Sequence, residues 1–282
     1  MKNDSKTISF PILYKKGAPM KILVCIKQVV DTSKMEVDPS TGRLNRNGAN
    51  SILNPCDGNA LEAAFRFRSA AGGTVTVITM GPPQAGEVLL EAVSMGADDV
   101  YLVTDRAFGG ADTLATSYTL AAAIRKLGND FDMIFCGQES IDSNTAQVGP
   151  EVAAMLGIAD VSAAVGFAWE DGKAVVTREV GEGREVLELK LPALVTVAPS
   201  ANTPRYPSVQ GILRKYETEI HQLTSADLDV EPERIGLKGS PTQVRGIRPI
   251  VPPKKENLKI EDQEPAAAAA LLAEALAKVQ II

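Results

Sequence analysis

One stretch of this sequence reads Gly137-Gln-Glu-Ser-Ile-Asp-Ser-Asn-Thr-Ala-Gln-Val-Gly149, and it separates two regular segments. The apolar residues 131–136 before it predict a buried strand, and residues 150–156 after it predict a helix. A small, polar, glycine-bounded loop in this position is typical of an anion-binding site, because free backbone N–H groups and the positive end of the helix face the ligand. The loop also carries neutral hydrogen-bonding side chains, at Ser143, Asn144, Thr145 and Gln147. It therefore favours the sugar and phosphate of a nucleotide over a reaction that needs an acid and a base.

Strand-like and helix-like segments alternate along the first half of the chain. The β-branched and apolar segments that predict strands are residues 21–26, 74–79, 100–103 and 131–136. The segments whose apolar spacing predicts helices are residues 57–68, 87–94, 111–127 and 150–156. This alternation predicts an α/β fold, in which a mostly parallel sheet is flanked by helices on both faces.

Three regions depart from this alternation. The polar residues 29–46, with a turn at Asp38-Pro-Ser-Thr-Gly42, predict a small hairpin or arm. After Ala159 we expect added antiparallel strands that extend the same sheet, at residues 161–169, 173–179, 184–190 and 193–197. Residues 206–213 are expected to form a loop that leads to a short helix.

The two ends of the chain differ in composition from its middle. Residues 1–19 have no long apolar core and no arginine, so we expect an extension outside the fold and not a secretory signal or transit peptide. Residues 20–237 are expected to form one nucleotide-binding domain. Residues 238–282 are expected to form a C-terminal arm and helix, because the proline-rich stretch 249–263 precedes an alanine and leucine helix. Such a helix is marginal alone, so we expect it to pack on its own subunit or on a partner.

The bulk composition argues against several classes of protein. With 282 residues, 45% of them hydrophobic, the chain is long enough to bury a substantial core. Its net charge of −6 argues against a nucleic-acid partner, because phosphate backbones require a basic surface. Three separated cysteines, one histidine and no CxxC pair argue against a disulfide framework or a zinc site, and they favour a reducing, cytoplasmic compartment. No apolar run reaches the roughly 20 residues that a spanning helix needs, so we expect no membrane insertion.

Familiar catalytic motifs are missing from this sequence. The first strand is followed by Lys27-Gln28-Val29, and not by the glycines of a Rossmann G-x-G-x-x-G, which disfavours a classical NAD dehydrogenase. Neither a Walker A nor a G-x-S-x-G motif is present, and the lone His221 is expected on the surface. Cys25, Cys56 and Cys136 are interpreted as small packed residues, since no basic partner favours a thiolate. We therefore predict no catalytic residues and interpret the chain as a binding protein.

Loops of suitable composition follow several of the predicted strands. In an open α/β sheet, ligands lie beyond the carboxyl ends of the strands. The loops that we expect at this edge are residues 25–29, 80–83, 108–113 and 137–148, and residues 54–57 join them if the arm folds back. Each has a structural alternative: Gly81-Pro-Pro83 as a strand stop, Asp112 or Thr113 as a helix cap, and Asn54-Pro-Cys-Asp57 as a capped helix start. Because several such loops share one edge, we favour a common nucleotide site.

Several separated motifs occur together in the order found in one family. They are Val24-Cys-Ile-Lys27, Asn54-Pro-Cys-Asp57, Met80-Gly-Pro-Pro83, Gly96-Ala97-Asp98, the 137–149 stretch, Leu191-Pro-Ala-Leu-Val195 and Pro204-Arg-Tyr206. On these motifs, residues 20 to about 237 resemble the beta subunit of electron transfer flavoproteins, and the resemblance implies an adenine-nucleotide alpha-hydrolase-like fold. It also implies that an adenine nucleotide contacts Cys25, Asn54, Pro55, Cys56, Asp57, Met80, Gly137, Gln138, Glu139, Ser140, Ile141, Asp142, Ser143, Asn144, Thr145, Ala146, Gln147 and Val148. To these we add loop residues from the same edge, Gly81, Asp112 and Thr113.

This family contains two kinds of beta subunit. Ordinary carriers hold a structural AMP, whereas electron-bifurcating relatives hold a second FAD in that position and accept electrons from NADH. This chain is more similar to the second kind, through Lys27-Gln-Val-Val-Asp31, Asp38-Pro-Ser-Thr-Gly42, Gly110-Ala-Asp-Thr113 and Thr145-Ala-Gln-Val-Gly-Pro150. The resemblance thus implies FAD, NADH, an alpha subunit with its own FAD, and an acyl-CoA dehydrogenase or similar flavin dehydrogenase. One departure is Asp142-Ser143-Asn144-Thr145, where those relatives usually have Asp-Gly-Asp-Thr, and the missing carboxylate should alter the local field near the cofactor.

The family also has a recognition loop with an exposed aliphatic residue that contacts dehydrogenases. The matching stretch is Tyr206-Pro-Ser-Val-Gln-Gly-Ile212, in which Val209 is the expected contact residue. An ordinary loop is the alternative interpretation of this stretch. Two other functions remain open from the sequence: an ordinary carrier that holds AMP, and a stand-alone adenine-nucleotide sensor whose C-terminal helix covers its own domain.

Overall fold

A nine-stranded sheet forms the centre of the protein in a computed structural model that describes residues 19–31, 36–37, 44–45, 51–170, 172–181, 183–243, 259–260 and 264–281. The chain divides into two compact units, Met1–Arg245 and Gly246–Ile282, and the sheet belongs to the first. From one edge to the other, the strands are β11 Gly183–Leu189, β10 Lys173–Val180, β9 Ala159–Glu170, β12 Ala193–Val197, β8 Met133–Gly137, β1 Met20–Ile26, β6 Gly73–Met80, β7 Asp99–Val103 and β13 His221–Leu223.

Among the described residues of the first unit, five α-helices accompany this sheet. They are α1 Pro55–Ala71, α2 Gly86–Met95, α3 Thr113–Lys126, α4 Val148–Leu156 and α5 Val209–Lys215. The α/β fold with a mostly parallel sheet is therefore confirmed. The predicted arm is confirmed in its described residues as two short antiparallel ladders, β2 Gln28–Val30 with β5 Ser51–Leu53 and β3 Glu36–Val37 with β4 Leu44–Asn45. The predicted turn at 38–42 lies outside the described residues.

The central strand β1 supplies side chains to a core on each face of the sheet, because successive residues of a strand point in opposite directions. Ile22 and Val24 pack in the core that contains residues of α1 and α2. Leu23 and Cys25 pack in the second core, with residues of α3 and α4. The parallel strands are therefore buried on both faces, which explains why they read as continuous apolar runs and not as alternating ones.

The last predicted strand occupies a different place from the one expected. Residues 193–197 form β12, which lies between β8 and β9 and runs parallel to both, so the expectation of an antiparallel strand is wrong for β12. Strands β9, β10 and β11 form the expected antiparallel hairpins, and β9 pairs in parallel with β12 on its other side. Strand β13, which pairs in parallel with β7, was not expected. His221 at its start is about half exposed and stacks on Tyr101, so its predicted surface position is confirmed.

Buried polar contacts hold the segment before α5 against α1. The carboxylate of Glu62 is buried and accepts hydrogen bonds from Arg66 Nε at 2.6 Å and Arg205 Nε at 2.7 Å. Burial raises the pKa of Glu62, but the hydrogen bonds from Arg205 and Arg66 outweigh it, and the pKa lies below its usual value. Asn59 adds a hydrogen bond of 2.7 Å from its side-chain Nδ2 to the carbonyl oxygen of Asn202. These contacts fix the course of the chain past α1, from Asn202 to Arg205, just before α5 begins.

Helix α5 begins earlier than the sequence predicts. Val209 is its first residue, and the Ser208 hydroxyl accepts a hydrogen bond from Gly211 N–H at 3.0 Å as a cap, so Val209 lies on a helix and not in the predicted loop. A Cβ atom at Gly211 would lie 2.0 Å from the Ser94 carbonyl oxygen at the end of α2. The two helices therefore meet at a point where only glycine fits.

The second unit contains α6 Pro265–Lys278, which confirms the predicted alanine and leucine helix. Its packing on its own or a partner subunit stays a prediction. Among the described residues, no helix combines the length and apolar character needed to cross a membrane.

Candidate functional site

The order of the strands reverses between β1 and β8. From β1 the chain passes to β6 and β7 on one side, and then crosses to β8 and β12 on the other side. In open α/β sheets the ligand crevice forms at such a reversal, outside the carboxyl ends of the strands. The loops that start at Lys27 and Gly137 therefore flank the expected crevice, and the start of α1 lies against both.

Asp57 joins the ends of these two strands. One carboxylate oxygen, Oδ2, accepts the Lys27 N–H at 2.7 Å, and the other, Oδ1, accepts the Gly137 N–H at 3.1 Å. A Cβ atom on residue 137 would lie 2.3 Å from Oδ1 and 2.8 Å from the backbone nitrogen of Asp57. Glycine is thus required at the end of β8 for the first turn of α1 to approach this closely.

The carboxyl group of Asp57 has an unusual protonation equilibrium. Burial is the largest influence, since the residue is only 6% exposed, and it raises the pKa to about 7. Hydrogen bonds from Asn54, Lys27 and Gly137 and the positive charge of Lys27 act in the opposite direction. The charge of this buried group therefore changes close to neutral pH.

Asn54 connects α1 to the 137–148 loop. Its Nδ2 donates to the Glu139 carbonyl at 2.9 Å, and its Oδ1 accepts the Ile141 N–H at 3.2 Å. Its backbone N–H donates to the Lys27 carbonyl at 2.9 Å. The side chain makes no capping bond to α1, so the alternative of a capped helix start is wrong for Asn54, and Pro55 begins the helix instead.

A charged network organises the exposed side of the loop. Lys27 Nζ lies 2.8 Å from Asp142 Oδ1 and 3.4 Å from Ser140 Oγ, and Ser140 Oγ also donates to Asp142 at 2.8 Å. Burial raises the pKa of Asp142, but the hydrogen bonds from Lys27 and Ser140 outweigh it, so the pKa lies below its usual value. Lys27 was missing from the predicted site residues, although its place directly after a strand facing an acidic loop was visible in the sequence.

The end of the loop leads into a helix without a side-chain cap. Gln147 occupies the N-cap position of α4 and makes no capping bond. The first N–H groups of a helix have no partner within it, and here they include those of Val148 and Gly149, since Pro150 carries none. Asn144 and Ala146 both adopt φ of +52°, in the left-handed region. Residues 142–147 are exposed, so the loop forms an open polar surface beside a positive helix end, which suits an anionic group.

Asp112 and Thr113 lie at the start of α3. Asp112 Oδ1 accepts the Ala115 N–H at 3.1 Å, which confirms its predicted alternative as a cap, and Oδ2 accepts bonds from Thr242. Burial raises the pKa of Asp112, but these hydrogen bonds outweigh it and the pKa lies below its usual value. The Thr113 hydroxyl lies 3.3 Å from Gln147 Oε1 and 3.2 Å from Glu151 Oε1. Thr113 is therefore next to the start of α4, whereas both carboxylate oxygens of Asp112 have partners within the chain.

The cysteines lie beneath this surface as buried free thiols, in agreement with their interpretation as packed residues. Cys25 and Cys136 are partners in the β1–β8 register. The hydrogen bond with Cys25 and burial raise the pKa of Cys136 well above its usual value, and burial raises that of Cys56. Met80 ends β6 half-buried, and the Gly81 N–H donates to the Val103 carbonyl at 3.1 Å.

A cavity of about 690 Å³ lies beside α2 and α5, and not at the 137–148 loop. Its lining residues are Gln28, Ser51, Gln84, Glu87, Val88, Glu91, Ser94, Pro207, Ile212 and Lys215. Because none of the predicted nucleotide-binding residues lines it, the structure separates this cavity from the loop. The candidate site is the 137–148 loop, since the strand reversal and the helix start meet there.

An exposed apolar surface surrounds the predicted docking residue. Val209 is 76% exposed at the first turn of α5. The other exposed large apolar side chains of this segment are Tyr206, Ile212, Leu213 and Tyr216. Together these five residues form what we term the α5 surface.

Comparisons with known proteins show which sequences this chain resembles. A family model described as electron transfer flavoprotein domain matches residues 41–228. Electron transfer flavoprotein subunit beta of Thermoanaerobacterium thermosaccharolyticum is 50% identical over 226 residues, which are 80% of this chain and 86% of that protein. Caffeyl-CoA reductase-Etf complex subunit CarD of Acetobacterium woodii is 49% identical over 237 residues, 84% of this chain and 89% of that protein. Acryloyl-CoA reductase electron transfer subunit gamma of Anaerotignum propionicum is 43% identical over 243 residues, 84% of this chain and 90% of that protein.

Proposed function

The chain belongs to the electron transfer flavoprotein family as a beta subunit, and we propose that it binds FAD across the 137–148 loop and accepts electrons from NADH for flavin-based electron bifurcation. It does so in a cytoplasmic complex with an alpha subunit that carries its own FAD. An acyl-CoA dehydrogenase or a similar flavin dehydrogenase receives electrons from this complex.

The observation that carries the nucleotide site is the joining of β1, β8 and α1 at the strand reversal. Asp57 and Asn54 satisfy the backbone groups at the base of the loop. Residues 142–147 are exposed, and α4 begins directly after them at the half-buried Val148. Backbone N–H groups at a helix start are suited to a diphosphate, so the described residues fit the diphosphate part of FAD.

The work of this chain is to hold and orient the cofactor. FAD supplies the hydride and single-electron chemistry when bound. Lys27 is already paired with Asp142 and adds little free positive charge, so the positive end of α4 would offset only part of the charge of a diphosphate. The neutral side chains of Ser143, Asn144 and Thr145 are exposed and would supply hydrogen-bonding groups to a sugar. No proton transfer by a side chain is required.

Two lines of support favour FAD and NADH over a structural AMP. The first is the resemblance of Lys27-Gln-Val-Val-Asp31 and Thr145-Ala-Gln-Val-Gly-Pro150 to electron-bifurcating sequences. The second is that two similar proteins carry names of CoA-ester reductase systems, a caffeyl-CoA reductase-Etf complex and an acryloyl-CoA reductase.

An anaerobic titration with NADH tests the electron donor. The purified complex should lose flavin absorbance on addition of NADH. This loss should equal the part of the dithionite-induced loss that comes from the flavin of this chain. If dithionite reduces the flavins while NADH leaves them oxidised, the chain is an ordinary carrier and the bifurcating role is wrong.

A substitution on the α5 surface tests the docking role of Val209. Val209→Asp should slow electron transfer to an acyl-CoA dehydrogenase about tenfold when the concentration of the dehydrogenase is limiting. The reason is that burying an unpaired charge at a contact costs about 1.4 kcal/mol or more. The measurement is the rate of dehydrogenase reduction in stopped flow. Val186→Asp is the matched control, since Val186 is 68% exposed on β11. Equal rates for Val209→Asp and wild type, or equal losses in both variants, contradict this role.

A further inference from the structure

We propose that Asp57 is a pH-dependent positioning residue of the nucleotide site: its ionised carboxylate joins the ends of β1 and β8, and its protonation releases one of them. This inference rests on the proposed nucleotide-binding function and adds a regulation of that site by protons. Asp57 acts through the backbone at Lys27 and Gly137 and is not a catalytic residue.

The geometry requires both oxygens of the carboxylate as acceptors. Oδ2 accepts the Lys27 N–H at 2.7 Å and Oδ1 accepts the Gly137 N–H at 3.1 Å. A protonated carboxyl group carries a donor on one oxygen, so that oxygen no longer accepts a backbone N–H well. Asn54 cannot replace it, because its amide is already bonded to Glu139 and Ile141. Protonation therefore leaves the end of one strand without its partner.

Release of either strand end would directly change the position of the 137–148 loop. Gly137 is the last residue of β8 and the first of the 137–148 loop. Its Cα is pressed against Asp57, since a Cβ there would lie 2.3 Å from Oδ1. Lys27, on the other side, is the residue that pairs with Asp142 within the loop. Both contacts of Asp57 thus control backbone that positions the candidate ligand groups.

The groups that face Asp57 come from three directions. Lys27 follows β1 and favours the ionised form, Cys136 comes from β8, and Cys56 precedes Asp57 on α1. Glu139 of the loop acts on Cys56. Burial outweighs the positive charge of Lys27 and the hydrogen bonds, so the carboxyl of Asp57 titrates at about pH 7. While the carboxyl stays buried, loss of a backbone donor raises its pKa further, so protonation favours the released form. The acceptor is therefore complete above about pH 7 and incomplete below it.

The first test measures FAD affinity at pH 6 and pH 8 with the full chain, freed of its nucleotide and isolated with any subunit that copurifies. FAD has no group that titrates between these values, so a change belongs to the protein. If only the ionised form positions the loop, a single proton with a pKa of about 7 predicts roughly tenfold weaker binding by wild type at pH 6 than at pH 8.

Two variants separate this role from a general structural one. Asp57→Asn should bind FAD weakly with nearly equal affinity at both pH values, because an amide offers only one acceptor oxygen. Asp132→Asn is the matched control: Asp132 Oδ2 accepts the Lys21 N–H at 2.8 Å, which joins β1 and β8 at their opposite ends. This control should keep the pH dependence of wild type. Equal FAD affinity of wild type at pH 6 and pH 8 overturns the inference and leaves the proposed function standing.

A second readout needs no ligand and no variant. Hydrogen exchange of the two donor amides, Lys27 N–H and Gly137 N–H, corrected for the intrinsic pH dependence, should show more protection of at least one of them at pH 8 than at pH 6 in wild type. Opening that exposes the carboxyl to water has the opposite sign, because the folded chain raises the pKa of Asp57, and it would give more protection at pH 6. Equal protection at the two values overturns the inference. A wild-type chain that shows this change in protection but fails to bind FAD at either pH contradicts the proposed function and supports the role of Asp57.

Discussion

Replacement of Gly137 by alanine should destabilise the chain by about 3 kcal/mol and abolish nucleotide binding, because the added Cβ has no space. That atom would lie 2.3 Å from Asp57 Oδ1, and 2.8 Å from both the Asp57 nitrogen and the Cys56 carbonyl carbon. Two of these three neighbours are backbone atoms of α1, so a rotamer change cannot relieve the overlap. The end of β8 must separate from α1, and the hydrogen bond from Gly137 N–H is lost with it.

Urea unfolding and the nucleotide content of the purified protein measure this effect. Gly58→Ala is the matched control, since Gly58 follows Asp57 on α1 and its added Cβ would meet only Pro204, at 3.5 Å. Alanine favours a helix over glycine by up to about 1 kcal/mol, so this control should be as stable as wild type or more so. If Gly137→Ala unfolds at the wild-type midpoint and retains nucleotide, the close approach of β8 and α1 described for this site is wrong.

Replacement of Gly211 by alanine is expected to destabilise the chain by about 3 kcal/mol and to displace the α5 surface. The added Cβ would lie 2.0 Å from the Ser94 carbonyl oxygen and 2.7 Å from its carbonyl carbon, both on the backbone of α2. The same carbonyl oxygen accepts the Ser208 N–H at 3.2 Å, so the cap of α5 moves with the helix. Transfer of electrons to a flavin dehydrogenase should therefore slow at least as much as in Val209→Asp.

The measurements are urea unfolding and the stopped-flow rate of dehydrogenase reduction. Gln210→Ala controls for the change in composition, because Gln210 is exposed on the same helix and alanine raises helix propensity. This control should match wild type in both measurements. Wild-type stability and rate in Gly211→Ala would show that α5 does not depend on its close contact with α2.

The local pattern of apolar and polar residues predicts the alternation of strands and helices. The order of the strands in the sheet cannot be predicted from it, because that order depends on contacts between residues far apart in the sequence. Residues 193–197 have the apolar, β-branched character shared by an edge strand and a central one, so their insertion between β8 and β9 has no local signal. Strand β13 has three residues, too few for a period to be recognised. The start of α5 was predictable, because Ser208 precedes the helix as a cap.

The loop at the centre of the candidate site was visible in the sequence, but its supporting contacts were not. Asp57 looks like an ordinary acidic residue in the first turn of a helix, and its importance comes from Gly137, which is 80 residues away. Lys27 and Asp142 are 115 residues apart, and Thr242 reaches Asp112 over 130 residues. Such pairings arise only when the strands take their places in the sheet.

The most direct test of this account is the identity and amount of nucleotide released by denaturing the purified complex. The account predicts one FAD for this chain in addition to the FAD of the alpha subunit, and loss of the first in Gly137→Ala. Release of AMP in place of that FAD contradicts the bifurcating role. Release of no nucleotide from this chain contradicts the site at the 137–148 loop itself.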